Sequence, residues 1–192
     1  MSDVIIREFQ PNDADAFFEL NREWIQRDFW LEPADLEVLW HPQDAILDLG
    51  GRIFVAARCG RQVGCCALIP VAPGEYELAK MAVTPAERRH GIGRRLIAAA
   101  IAKAERLGAT RLYLETNHTL TGAIALYESM GFRHLPPERM RHSAYSRADV
   151  FMERMMQPAS LAREVLESDS ACSLPSASIS AVRAQGETFL PP

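Results

Sequence analysis

The chain lacks the features that mark exported, membrane-spanning and metal-binding proteins. Its first ten residues contain only a three-residue apolar run, and the charged Arg7 and Glu8 follow at once, so no signal peptide is expected. No uncharged apolar run approaches the length of a membrane span. The chain has 4 cysteines and 5 histidines, but their spacing fits no metal-ligand pattern. We therefore expect a cytoplasmic protein with no metal and no membrane partner.

The charge balance and the common phosphate motifs exclude further classes. The net charge of −4 predicts no nucleic-acid partner. It mildly favours a cationic amine substrate, although surface solubility explains the same balance equally well. No G-x-x-x-x-G-K-[ST] string is present, and a dinucleotide-binding fingerprint would need a small residue where Leu96 stands.

Three of the cysteines are expected to act as small buried hydrophobic residues. Cys65 and Cys66 are adjacent in a strand-like run, so their side chains should point to opposite faces of a sheet. We expect the same buried role for Cys59. The fourth cysteine, Cys172, completes no metal-ligand spacing with these three.

The most informative segment is the sequence RRHGIG at residues 88–93, between a strand-like run and a helix-like run. Its two glycines carry no Cβ, so the backbone can approach a ligand closely. The start of the following helix offers unpaired N–H groups and a positive dipole end, which suit a phosphate. Cations at this end oppose the dipole, so a ligand with several phosphates explains the crowded positive side chains better than stability does: Arg88, Arg89, His90, Arg94 and Arg95.

Two motifs together resemble one known family. The string R-x-x-G-x-G resembles the acetyl-CoA signature of the GCN5-related N-acetyltransferase (GNAT) superfamily. Residues 123–132, AIALYESMGF, are similar to the A-x-x-L-Y-x-x-x-G-F helix end of the same superfamily. The motifs occur in the expected order, and the resemblance covers about residues 4–156. It implies an α/β three-layer sandwich, in which a mixed, mainly antiparallel twisted sheet has helices on both faces.

The resemblance also implies the activity. We expect acetyl-CoA as cosubstrate, and transfer of its acetyl group to a primary amine by direct attack in a ternary complex. The amine belongs to a small molecule or a peptide, and a homodimer is left open. The alternative is a non-catalytic acyl-CoA-binding sensor or interaction module on the same fold. The retained Tyr127 argues against that alternative.

Two residues are the catalytic candidates. The resemblance places Tyr127 beside the coenzyme sulfur, where a tyrosine near its ordinary pKa of about 10 can protonate the departing thiolate. Periodicity alone favours a packing role for Tyr127, on one helical stripe with Leu120 and Ile124. Several family members use a glutamate at the position of Glu77 as base, often through a water, and Glu77 is our candidate base or amine anchor. Glu75 and Glu115 are also available.

The coenzyme-binding candidates come from three places. In the family, the strand before the phosphate loop splays from its neighbour and offers N–H groups to the pantetheine arm. The family usually has an asparagine at the position that Leu120 occupies here. Asn117 either takes its place and bonds the pantetheine amides, or caps the next helix. The candidates are Met81, Ala82, Val83, Arg88, Arg89, His90, Gly91, Ile92, Gly93, Arg94 and Asn117.

Hydrophobic periodicity and turn residues predict the order of elements. Strict alternation along the strand at residues 75–83 would place four side chains on one face: Glu77, Ala79, Met81 and Val83. The first helix, to about Asp28, should carry a helically spaced set at Ala16, Leu20, Glu23 and Trp24. Strands are expected at residues 4–9, 53–58, 62–71, 75–83, 111–116, from 132 and 148–155; helices are expected at residues 11–28, 33–49 with a break at Pro42, 92–107 and 121–130.

Composition divides the chain into two parts. Residues 1–157 are expected to form the acetyltransferase domain, and residues 158–192 to form a Ser-, Ala- and Pro-rich extension with little apolar surface to bury. The segments 24–49 and 135–147 should recognise the acceptor, but they contain no motif that indicates its identity. Trp30, Trp40 and Tyr145 are candidates for an apolar acceptor pocket, and packing in the core or on the surface is equally plausible for them.

Overall fold

The computed structural model describes residues 4–156 of the chain. Within this range lies one mixed sheet of 7 strands in the order β1-β2-β3-β4-β5-β7-β6. The strands are β1 (Ile5–Glu8), β2 (Arg52–Arg58), β3 (Arg61–Ala72), β4 (Glu75–Val83), β5 (Arg111–Thr116), β6 (Arg133–His134) and β7 (Val150–Met155). The helices are α1 (Ala14–Asp28), α2 (Pro33–Trp40), α3 (Ile92–Arg106) and α4 (Thr121–Ser129), with a π-helical turn at Gln43–Leu47.

Helices cover both faces of the sheet, which confirms the predicted fold. On one face α3 and α4 pack over a core that includes the fully buried Leu96 and Ala100. On the other face α1, α2 and the π-helical turn enclose a second core around Phe17, Leu39 and Ile46. The buried residues of α3 recur at helical spacing along one face: Ile92, Leu96, Ile97, Ala100, Ile101 and Ala104. The expected break at Pro42 separates α2 from the π-helical turn.

The predicted apolar set of α1 is wrong in part. The helix begins at Ala14, after a 3-10 turn at Pro11–Asp13, and its buried residues are Phe17, Phe18, Leu20, Asn21 and Ile25. Glu23 is exposed, and Ala16 and Trp24 are only partly buried. The aromatic side chains remove far more apolar surface from water than Ala16 does, so they decide which side of the helix faces the core.

The cysteine prediction holds for two residues and fails for the third. Cys65 lies in the core under α1 and Cys66 in the core under α3, so the adjacent side chains do point to opposite faces. Cys59 is exposed, because it occupies the β2–β3 hairpin turn with φ of 50° before Gly60 with φ of 76°. Cys172 and the whole predicted extension lie outside the described residues.

A β-bulge interrupts the pairing of β3 with β4. Ala67 pairs with Ala79 and Cys65 pairs with Ala82, so Lys80 and Met81 together oppose Cys66. Lys80 adopts a left-handed backbone with φ of 49°.

The bulge overturns the predicted alternation along β4. One extra residue reverses the side-chain phase, so Met81 and Val83 pack on the α3 face together with Tyr76 and Leu78. Glu77 lies on the opposite face, because its pairing partner Ile69 packs in the α1 core. The expectation that Glu77, Ala79, Met81 and Val83 share one face is therefore wrong.

Strands β4 and β5 run parallel but separate after three residue pairs. Only Glu75, Tyr76 and Glu77 pair with β5, opposite Arg111, Leu112 and Tyr113. The far edge of β5 stays paired with β7 along its whole length. The sheet therefore opens between the carboxyl ends of β4 and β5, and polar backbone groups line this opening.

Asp13 fixes the entry to α1 through a buried ion pair. Its side chain is fully buried and accepts two hydrogen bonds from Arg7, at 2.6 and 2.8 Å. The amide of Gln10 and the side chain of Gln62 donate two more, at 2.8 and 2.9 Å. The hydrogen bond from Arg7 is the largest cause of a pKa lowered to about 2.

We predict that Asp13→Asn destabilises the protein at neutral pH by about 2 kcal/mol. The folded-state pKa lies below the unfolded value of about 3.9, so this stability is present above about pH 4 and is lost as the pH falls towards 2. Urea unfolding at pH 7 and at pH 3 measures the difference. Asp15→Asn, at an exposed position of the same helix, is the control. A pH-independent difference would contradict the assignment.

Candidate active site

A cleft of about 610 Å³ occupies the opening between β4 and β5. The residues that line it come from the end of α1, α2, β4, the loop before α3, the end of β5 and α4. Of the residues singled out from the sequence, it brings together Glu77, Met81, Ala82, Val83, Arg88, Arg89, Gly91, Ile92, Gly93, Arg94, Asn117 and Tyr127. His90 does not line the cleft, because its half-exposed ring turns toward Glu87, with Nδ1 3.8 Å from the carboxylate.

The loop before α3 forms a cradle of backbone amides. Gly91 is the N-cap of the helix with φ of 75°, and Arg89 also has a positive φ of 63°. The Arg95 amide donates to the Gly91 carbonyl at 3.1 Å as the first bond of the helix. The amides of residues 92–94 therefore have no acceptor within the helix. This arrangement fits an anionic phosphate.

A side chain at the second glycine would crowd its neighbours. A Cβ built on Gly93 would lie 3.0 Å from both Met81 Cε and Leu126 Cδ2. The absence of this atom lets the start of α3 approach β4 and α4 closely. Gly91, by contrast, is required by its left-handed backbone, since no atom lies within 4 Å of a Cβ there.

The arginines around the loop do not share one role. Arg88 donates from Nε to the Val83 carbonyl at 3.1 Å. Arg94 donates to Ser129 Oγ at 2.8 Å, and so ties α3 to α4. Arg95 reaches away from the cleft to the Val4 carbonyl at 2.7 Å.

Backbone direction along the end of β4 separates the three candidate amide donors. The Thr84 amide donates to the Val63 carbonyl of β3 at 2.9 Å. Alternation then directs the Ala82 amide to β3 as well, and directs those of Met81 and Val83 to the open edge. The bond from Arg88 to the Val83 carbonyl agrees with this direction.

Tyr127 belongs both to the core and to the cleft. Its side chain packs edge-on against Phe132, at 6.0 Å between ring centroids, and it is only 7% exposed. Its hydroxyl lies 3.6 Å from the sulfur of Met81. Burial raises the pKa of Tyr127 well above its ordinary value, so the phenol keeps its proton at neutral pH.

Among the carboxylates of the cleft, Glu77 has a raised pKa. Burial, and to a lesser extent the charge of Glu115, raise its pKa to about 7, while the charge of Lys80 acts in the opposite direction. Glu75, which the sequence offered as a rival, is held by Arg111 at 3.2 Å and by Arg141 at 2.5 Å. It does not line the cleft.

Asn117 does not cap α4. The helix begins at Thr121 with Leu120 as its N-cap, so the capping alternative is wrong. The Asn117 Oδ1 accepts from the Thr119 amide at 2.9 Å, and its Nδ2 donates to the Arg147 carbonyl at 2.7 Å. These bonds lock the loop after β5, and one N–H of Nδ2 remains for a ligand.

A buried ion cluster at the cleft was missed from the sequence. Asp35 of α2 is fully buried and accepts from Lys80 Nζ at 2.9 Å. Arg147 grips the same carboxylate with two bonds, at 2.7 and 2.8 Å, and reaches Glu32 at 3.0 Å. The one available signal was a lysine inside an otherwise apolar strand segment. Its partners Asp35 and Tyr145 lie 45 and 65 residues away, beyond any local pattern.

Among the three aromatic candidates for an acceptor pocket, only Tyr145 lines the cleft. Its hydroxyl accepts from Lys80 Nζ at 2.7 Å, and its ring lies under both Lys80 and Arg147. Trp30 is 87% exposed, and Trp40 is 60% exposed and stacks on Phe18. Neither Trp30 nor Trp40 lines the cleft.

No helix within residues 4–156 is long and apolar enough to cross a membrane. In the same range, no group of three or more His, Cys, Asp or Glu side chains is arranged to hold a metal ion.

Comparison with known proteins identifies relatives of this chain. An uncharacterized N-acetyltransferase of Schizosaccharomyces pombe is 33% identical over 132 residues, which are 66% of this chain and 80% of that protein. The uncharacterized N-acetyltransferase YjgM of Escherichia coli is 40% identical over 89 residues, and the chain spans about half (53%) of its length.

Solved structures show the same fold. A GNAT-family acetyltransferase of Staphylococcus aureus superposes with a TM-score of 0.75 at 20% identity, over 81% of this chain and 100% of that one. The Escherichia coli ribosomal-protein-S18-alanine N-acetyltransferase gives a TM-score of 0.63 at 24% identity, over 82% and 96% of the chains. The model of the acetyltransferase (GNAT) family matches residues 15–132, more than half of the chain, and the chain therefore belongs to this family.

Proposed function

We propose that the protein transfers the acetyl group of acetyl-CoA to a primary amine by direct attack in a ternary complex. The observation that carries this proposal is the position of the cleft at the opening of the sheet. A phosphate-suited helix start lies at one part of the cleft, and carboxylates from the opposite sheet face lie at another. Two substrates can therefore meet at the β4 bulge from two sides.

The coenzyme would be held mainly by backbone groups. The amides of residues 89–94 would take the pyrophosphate, with Arg88, Arg89 and Arg94 adding positive charge. His90 has no side-chain part in this proposal, although its amide belongs to the same loop. Acetyl-CoA supplies an acetyl thioester activated for attack.

The open edge of β4 would bind the pantetheine arm and the reacting carbonyl. The Met81 and Val83 amides support this role by their direction, and an arm bonded to them would extend the sheet as an added strand. A preorganised N–H donor also stabilises negative charge that develops on a carbonyl oxygen. Asn117 can add one N–H from the loop after β5.

Glu77 is proposed as the base or amine anchor. A carboxylate with a pKa of about 7 can both take a proton and release it near neutral pH. It lies on the α1 face, whereas Tyr127 lies on the α4 face. The bulge between them separates the incoming amine from the departing sulfur.

Tyr127 is proposed as the acid that protonates the thiolate. Its raised pKa keeps the proton available, and its hydroxyl has only the weak acceptor Met81 Sδ at 3.6 Å. A non-catalytic acyl-CoA sensor would need neither a protonated phenol nor a carboxylate tuned to neutral pH. Both features therefore favour an enzyme over that alternative.

Residues 1–157 are proposed as the acetyltransferase domain. The family match and every residue of the proposed site lie within this range. The cytoplasmic location and a homodimer stay predictions. The named acceptor of the Escherichia coli neighbour is an alanine of a ribosomal protein, so peptide amines remain candidates together with small ones.

We predict that the protein releases thiol from acetyl-CoA in the presence of an amine, and that Gly93→Val abolishes acetyl-CoA binding. The added branches would meet Met81 and Leu126 and displace the start of α3 from β4. Calorimetry measures the affinity, and circular dichroism verifies the fold. Ala98→Val, at an exposed position of α3 outside the cleft, is the control. Unchanged affinity in a folded Gly93→Val variant would remove the coenzyme from this loop.

We expect Tyr127→Phe to lower kcat by at least roughly 10-fold with little change in acetyl-CoA affinity. The substitution keeps the packing against Phe132 and removes only the proton donor. Stopped-flow measurement of thiol release tests the chemical step, and thermal unfolding tests the fold. A wild-type rate of chemistry would defeat the acid assignment, and a large loss of stability would favour a purely structural hydroxyl.

Glu77→Gln should remove the acidic limb of the pH profile. In the wild type, kcat/KM corrected for the neutral fraction of the amine should fall as the pH drops below about 7, because the base becomes protonated. The variant should be slower by about 10²-fold and flat across this range. Glu105→Gln, on the exposed side of α3, should keep the wild-type profile. A limb that persists in Glu77→Gln would assign the titration to another group.

A further inference from the structure

We propose that the acceptor is an amine that carries an apolar group and has no carboxylate beside its nitrogen. This inference rests on the proposed function and names the substrate class of the same site. It excludes free α-amino acids and admits arylalkylamines and amidated amino acids. The inference is based on the distribution of charge in the cleft and not on any single residue.

Two carboxylates without a cationic partner lie on the α1 face of the sheet. Glu77 pairs in register with Tyr113 of β5, and Glu115 follows Tyr113 by two residues, so all three side chains share this face. Glu115 accepts hydrogen bonds from the hydroxyls of Tyr113 and Ser143, which are neutral donors. Within residues 4–156, neither Glu77 nor Glu115 forms an ion pair.

The cations of the same region are already neutralised. Lys80 and Arg147 share Asp35, and Arg147 also pairs with Glu32, so two positive charges meet two negative ones. Arg27, at the end of α1, pairs with Asp28 at 2.6 Å. Apart from the arginines of the phosphate loop, every cation among the described residues that line the cleft therefore has a carboxylate partner.

The net charge that remains near Glu77 and Glu115 is negative, and this is where the amine must bind. Burial first and the charge of Glu115 second raise the pKa of Glu77; a protonated amine bound between the two carboxylates is attracted by both and reduces their mutual repulsion. A carboxylate on the same ligand would meet these charges with no unpaired cation to receive it. Repulsion of this kind is an efficient source of selectivity.

Apolar side chains of α1 and the following turn supply the other contact. Trp24, Ile25 and Phe29 line the cleft, and the two aromatic rings meet edge-on at 6.3 Å between centroids. They belong to the α1 core, on the same sheet face as Glu77. A ligand that places its ammonium group at the carboxylates can bury an apolar substituent against this wall.

The test compares three acceptors of similar size: 2-phenylethylamine, L-phenylalaninamide and L-phenylalanine. We expect kcat/KM for thiol release, corrected for the neutral fraction of each amine, to be at least roughly 10-fold lower for phenylalanine than for the other two. Equal or better use of phenylalanine overturns the inference. Turnover of other amines, but of none of these three, also overturns it and leaves the proposed function standing. Thiol release with no amine at all contradicts the proposed function itself.

A charge variant tests the cause of the selectivity. Glu115→Gln keeps an acceptor for Tyr113 and Ser143 and removes one negative charge, so the preference for phenylalaninamide over phenylalanine should shrink by several-fold. Glu105→Gln removes a charge of equal sign outside the cleft and should leave the ratio unchanged. Thermal unfolding confirms that both variants fold. An unaltered ratio in folded Glu115→Gln would overturn the electrostatic explanation.

Discussion

The buried ion pair between Lys80 and Asp35 is the interaction on which the site depends. Lys80 adopts a left-handed backbone, which costs a non-glycine residue on the order of 1–3 kcal/mol unless the surroundings favour it. Here its ammonium group reaches across to α2 and to Tyr145, and these bonds hold the bulge in place. The bulge reverses the phase of β4, so Met81 faces Tyr127 while Glu77 faces α1. Chemistry on both sheet faces follows from this one extra residue.

The same ion cluster sets the electrostatics of the cleft. Breaking a buried pair is costly because it leaves an uncompensated charge, so Asp35, Lys80 and Arg147 act as a unit. Together with Glu32, the second carboxylate partner of Arg147, their charges sum to zero, and they contribute mainly rigidity. The carboxylates without a cationic partner are Glu77 and Glu115, and burial together with the charge of Glu115 raises the pKa of Glu77 to about 7. The cluster therefore shapes the site without competing for the ligand.

The coenzyme half of the site was accessible from the sequence, and the acceptor half was not. Gly91 and Gly93 are demanded by local backbone geometry and close packing, so they leave a readable pattern. Strands and helices with strong periodicity, such as β4 and α3, were found with their bounds almost unchanged. The bulge at Lys80 was not found, because its stability comes from Asp35 and Tyr145, 45 and 65 residues away. For the same reason the sequence left both roles open for Trp30, Trp40 and Tyr145, since composition does not tell which aromatic ring lines a cleft.

This division follows from which atoms do the binding. A phosphate loop and an open strand edge act through backbone N–H groups, so many sequences can supply them if glycine stands where it must. The proposed acceptor recognition would use side chains from α1, α2 and the segment before β7, which line the same cleft only in the folded protein. The two halves touch at the bulge, where Lys80 belongs to the acceptor side and Met81 to the coenzyme side. Changes in α1, or at Tyr145 and Arg147, can therefore alter the acceptor while the Met81 and Val83 amides keep their direction, provided that Lys80 retains Asp35.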